Sequence, residues 1–119
     1  MSEKGNGEQT TILSLSVMDR IKIQSEILPK KFDMLTGHII MEMAKRLNFT
    51  PAETDEFCLV SAPQPNGQTG YRWDDSKARD VEIGFSVAEM KILKDGAKAL
   101  DDRKEIDAQT YPAVAKILG

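Results

Sequence analysis

The chain has one cysteine and one histidine among 119 residues, and each scarcity closes a class of chemistry. With Cys58 alone, no intrachain disulfide can form, and one chain cannot build a cysteine-based zinc site. With His38 alone, any Ser-His-Asp or Cys-His nucleophile has to use that residue. No apolar run approaches the roughly 20 residues that span a bilayer. The start, "MSEKGNGEQT", lacks the apolar middle of a secretory signal. A cytoplasmic protein is expected, with no membrane partner. Positive charge is also in short supply. The net charge of −3 disfavours a protein whose main task is gripping phosphates, although it permits a local basic patch. The glycines at 67, 70, 84 and 96 form neither phosphate-binding loop pattern, so a nucleotide enzyme of the usual kinds is disfavoured and no cofactor is implied. There is no internal repeat.

What is present is a set of start and stop signals for a small globular domain. Hydrophobic residues at 40% and charged residues at 29% suit one modest core. Residues 1–10 read as a disordered leader, and 11–119 as a single domain. Leu13, Leu15 and Val17 alternate with serines, the period of a half-buried strand. Ser16 and Asp19 then form a capping box, which predicts a helix from Val17 to about Leu28 with Val17, Ile21 and Leu28 on one face and Ile27 at its edge. Asp33 caps a second helix, Met34 to Leu47, whose expected core stripe is Leu35, Ile39, Met43 and Leu47. "TPAE" at 50–53 is a compact helix start, with Thr50 as cap, Pro51 at the first position and Glu53 reaching back.

Two strand candidates follow, "FCLVSA" and "GYRWD". Asn66-Gly67 lies between them, but Pro63 and Pro65 lack the N–H that a ladder needs, so a broad loop is expected rather than a tight turn. Periodicity puts Tyr71 and Trp73 on one face, towards the core. "VEIGFS" is a clean strand with Val81, Ile83 and Phe85 inward. Ser86 and Glu89 open a helix from Val87 to about Leu100, with Met90, Leu93, Ala97 and Leu100 as its stripe. Asp107 can cap a last helix holding Val114, Ile117 and Leu118, stapled by Ile106 and Tyr111. Pro112 moves its start towards Tyr111. Strands and helices come in blocks, so the expected class is α+β: a small, mostly antiparallel sheet of about four short strands, with about four helices packed mainly on one face.

Few residues converge on a reaction. "LVSAP" is no nucleophile elbow, and Cys58 reads as a small hydrophobe in an apolar strand with no cation nearby. Asp74-Asp75 and Asp101-Asp102 are interleaved with Lys77, Arg79, Arg103 and Lys104, as in solvated turns rather than metal sites. A hydrolase using Cys58 and His38 is the weakest functional reading. A single-strand nucleic-acid binder is stronger: Tyr71, Arg72 and Trp73 could stack bases, with Lys45 and Arg46 as phosphate contacts. Against it stand the acidic neighbours Asp74, Asp75 and Asp80. The leading reading comes from the second helix. Met34 and Met41 lie off its stripe, so that helix is apolar on more than one side, which favours contact on a second face, either within the fold or with another chain. Gln64, Asn66 and Gln68 at the loop tip are further candidates for partner contact.

"ILP" at 27–29, "LNFTPAE" at 47–53, "RWD" at 72–74 and "VEIGFSVAE" at 81–89 together give a pattern that covers most of residues 11–118. It resembles a family of small uncharacterised phage and prophage proteins, from which this chain departs in its longer "APQPNGQTG" loop. The resemblance implies a bacterial-virus origin and carries over no functional residue. The expected function is therefore non-enzymatic: a phage-type accessory protein acting through protein–protein contacts, in the host cytoplasm or incorporated in a virion.

Overall fold

Side-chain caps mark where four helices of this chain begin. The computed structural model describes residues 10–63, 65 and 69–119. Their order is β1 (Thr11–Leu15), α1 (Val17–Lys22) running on into a π-helical turn (Ile23–Ile27), α2 (Met34–Leu47), α3 (Pro51–Phe57), β2 (Val60–Pro63), β3 (Thr69–Arg72), β4 (Val81–Phe85), α4 (Val87–Asp102) and α5 (Tyr111–Leu118). The class is α+β. The expected leader lies outside the described residues except for Thr10, and so does Asn66-Gly67.

All three expected capping boxes form. Ser16, Thr50 and Ser86 accept from the backbone N–H of Asp19, Glu53 and Glu89, whose carboxylates accept in return from the cap N–H. Asp33 caps α2 by accepting from Thr36 N at 2.7 Å. The last helix starts at Tyr111, where Pro112 suits the first turn. Asp107 accepts from Thr110 N as a cap would, but it closes the turn before the helix rather than its first turn. Tyr111 is exposed while Ile106 packs on the core, so the anticipated staple does not close. Leu118, also expected inside, is exposed.

The strands form two separate antiparallel pairs, β1 with β4 and β2 with β3. In the first, Leu13 lies opposite Ile83 and Leu15 opposite Val81. This register brings the inward faces of both strands together, since a slip by one residue would turn them out. Helices cover that face. Leu13, Leu15, Ile83 and Phe85 join Ile23, Ile27, Ile40, Met43, Leu47, Leu93, Leu100 and Ile117 in one hydrophobic cluster. The α4 stripe, Met90, Leu93, Ala97 and Leu100, is buried as its periodicity requires.

The second pair, with Ala62 opposite Gly70, is a ribbon whose strands touch chiefly each other. This overturns the inward placing of Tyr71 and Trp73. Among the described residues, no helical layer packs on the ribbon for alternate residues to point at, so Tyr71 is exposed, and Trp73 lies beyond β3, half-buried, donating its Nε1–H to Asp75 at 2.8 Å. The ribbon reaches Pro63, although that proline seemed to bar pairing. At the end of a two-stranded ribbon a missing N–H costs little.

Two helix faces also differ from the expectation. In α1 and the π turn, Val17, Ile23 and Ile27 are buried, while Ile21 is only half-buried. The core-facing side includes Arg20, which amphipathic reasoning puts outside. Arg20 is 2% exposed. Its burial is compensated: Nε donates to Leu47 O at 3.1 Å, Nη2 to Asn48 O at 2.7 Å, and the guanidinium forks onto both carboxylate oxygens of Glu53 at 2.9 and 3.0 Å. It also lies 4.1 Å from the centre of the Phe49 ring. In α2 the buried line is Gly37, Ile40, Met43 and Leu47, so Leu35 stands outside it. Gly37 turns inward because Phe32 is folded over it, its ring carbons 2.9 and 3.0 Å from where a Cβ would lie.

Candidate protein-docking face on the second helix

α2 is fixed at one end and bare at the other. Its C-terminal end is held by Arg20 on the Leu47 and Asn48 carbonyls. Arg46 bonds Glu89 at the start of α4 and lies over the Phe85 ring. Burial alone would raise the Glu89 carboxyl, but the bonds from Arg46 and Ser86 outweigh it and hold it below the ordinary glutamate value. The Arg20 hydrogen bonds hold Glu53 low in the same way.

Among the described residues, the N-terminal half of α2 has no such neighbours. Met34 is 79% exposed, Leu35 75%, Met41 53% and the preceding Phe32 43%. Phe32, Asp33, Met34, Gly37, His38 and Met41 line a shallow hollow of about 440 Å³. On the other flank of the helix, Thr36 and Ile39 form one wall of a groove of about 850 Å³, floored by Ile27, Leu28, Ile92 and Leu100. Most charges on the rim of that groove are already engaged. Lys91 pairs with Asp95, Arg103 with Glu105, and Lys30 donates to Ser25 O. The first turns of α2 therefore stand as an apolar ridge between two depressions. Four large apolar side chains gathered in water need a reason, since such patches usually mark contact with another molecule.

The structure brings together two of the five candidate partner-contact residues. Met34 and Met41 line the same hollow. Gln64, Asn66 and Gln68 lie outside the described residues. Leu35 and Phe32 join the site unannounced. Leu35 was assigned to the core because Ile39 and Ile40 are adjacent, and either can lead a stripe. The nucleic-acid set is dispersed between elements. Tyr71 and Arg72 are exposed on β3, whereas Lys45 pairs with Glu42 near the end of α2 and Arg46 is taken by Glu89.

Cys58 is not in a strand. It terminates α3 in the left-handed conformation (φ 54°) and is exposed, with Lys77 Nζ 3.8 Å from its sulfur. A cation is thus near, contrary to expectation. Phe57 occupies the buried position at the end of the helix, so the apolar run "FCLV" is split between a helix end, its exit and the first residue of β2. The hollow lined by His38 does not include Cys58. Among the described residues, no three or more His, Cys, Asp or Glu side chains gather as a metal site, and no helix is long and apolar enough to cross a membrane. Comparison with family models, curated proteins and solved structures found no match to this chain.

Proposed function

We propose that this protein acts without catalysis, by docking a protein partner on the N-terminal half of α2. The observation that carries the reading is the exposed Phe32, Met34 and Met41 around a hollow, with Leu35 exposed on the flank of the same turns. Methionine suits such a face, because its unbranched, polarisable side chain adapts to a partner's surface. The resemblance to small phage proteins gives the concrete form: an accessory role in the host cytoplasm or in the particle, in assembly or against a host protein. Affinity capture from a bacterial extract that also contains the untagged chain tests it, with wild type beside a Met34→Lys/Met41→Lys variant of unchanged thermal stability. The expected result is a retained protein that the variant loses. Retention of the same proteins by both would sink the reading.

A second reading draws on the ribbon, where Tyr71 and Arg72 are exposed beside the half-buried Trp73. A single-stranded oligonucleotide bound there would change Trp73 fluorescence at low salt and dissociate as salt rises.

A further inference from the structure

Building on the docking reading above, we infer that the occupant of the α2 face is a second copy of this chain, paired antiparallel through α2 about a twofold axis near His38. Three observations support it. The first is area. The exposed fractions of Met34, Leu35, Met41 and Phe32 equal about two and a half fully exposed large side chains, on the order of 450 Å². A standard interface covers about 800 Å² per partner, and homodimer interfaces are about 65% apolar, which calls for roughly 520 Å² of apolar surface on each copy. The patch nearly supplies it.

The second is self-complementarity. A twofold interface needs a projection and its receptacle on the same surface, so that each copy fills the other. Met34, the most exposed large apolar residue, borders the hollow that also holds Gly37, His38 and Met41. Met34 and Met41 are separated by about 10 Å along the helix. A twofold axis midway between them sets Met34 of each copy against Met41 and the hollow of the other.

The third is charge. The exposed Lys31 and Asp33 lie at one end of the patch, and Glu42 and Lys45 at the other. Hydrogen bonds from Thr36 hold Asp33 below its ordinary value, so its charge persists. Antiparallel pairing brings the two ends together, so Lys31 and Asp33 of one copy extend the exposed Glu42–Lys45 pair of the other into a four-charge network at both ends. It also sets the two helix dipoles head to tail, whereas parallel pairing would align like ends.

Sedimentation equilibrium on the full chain gives the first test, with the expected result a dimer of about micromolar Kd. Met34→Lys/Met41→Lys should weaken it at least about tenfold. Because both positions are exposed, far-UV circular dichroism should show the variant folded. An independent measurement uses His38→Cys in a Cys58→Ser background. Mild oxidation should link two copies through position 38, whereas Glu82→Cys in the same background, on the open face of β4, should not link. A monomer at high concentration, or a dimer indifferent to both lysines, overturns the inference. If that monomer still loses a captured partner on the Met34→Lys/Met41→Lys change, the docking reading survives and the occupant is a different protein. If it does not, both fall.

Discussion

One arginine shows why a charged side chain can belong to a core. Arg20 spends four donor bonds on two carbonyls and a carboxylate contributed by α2 and α3. Removing it strands the Leu47 and Asn48 carbonyls and leaves Glu53 without its partner. Breaking one side of such a buried pair costs about 3–5 kcal/mol, a large share of what a small domain has. Arg20→Met should therefore lower unfolding stability by that amount in urea titrations. Arg20→Lys should recover little, because a lysine cannot fork onto a carboxylate and reach two carbonyls. A loss below about 1 kcal/mol for either would show the network to be ornamental. Nothing in the local sequence marks this arginine. Its partners lie 27, 28 and 33 positions away, so its burial is visible only once the helices are packed. Cys58 misled for a related reason. A left-handed helix end favours glycine, and a cysteine in that role looks like one more apolar residue of a strand.

At the scale of elements, the helix starts were legible and the helix faces only partly so. Capping boxes are local chemistry, and all three form where the sequence places them. The stripe of α4 was legible because its apolar positions are few and regular. That of α2 was not, because apolar residues surround its first turns, and one of its buried positions, Gly37, has no side chain and is covered by Phe32 instead. The exposed Met34 and Met41, by contrast, were visible as the surplus left over from any single stripe. The close approach of α4 to the π turn also escaped the pattern. A Cβ on Gly96 would lie 2.1 Å from the carbonyl oxygen of Ile27. Alanine gains about 1 kcal/mol over glycine in helix propensity, but overpacking costs about 1–3 kcal/mol, and here the obstacle is backbone. Gly96→Ala should therefore be destabilising, by about 1–2 kcal/mol in denaturant titrations. A stabilised variant would mean the two helices slide apart freely.

For the whole molecule, each capping-box carboxylate has a second duty. Lys116 bonds Asp19, Arg20 bonds Glu53 and Arg46 bonds Glu89, so each helix start is wired to a distant element. Glu53 and Glu89 titrate below the ordinary glutamate value in the folded chain. A carboxyl depressed by folding stabilises the fold above its unfolded pKa, and that contribution is lost as pH falls through the folded value. Stability should hold near neutrality and decline from about pH 4.5 downward. Glu53→Gln and Glu89→Gln should each flatten that decline in urea midpoints measured against pH. An unchanged acid limb in both would separate the caps from the acid response. The α+β class followed from the block order of elements, but the division into two sheets did not, since alternation alone does not say which strands meet.

The ribbon has a consequence of its own. It is moored at its base, where Asp74 N bonds Phe57 O at 2.8 Å and Arg79 grips Glu56, while β2 and β3 lean chiefly on one another. The stretch from Val60 to Arg72 is thus a cassette plugged into a finished socket. A foreign epitope could be spliced between β2 and β3, and the cluster formed by β1, β4 and the helices would keep its own contacts.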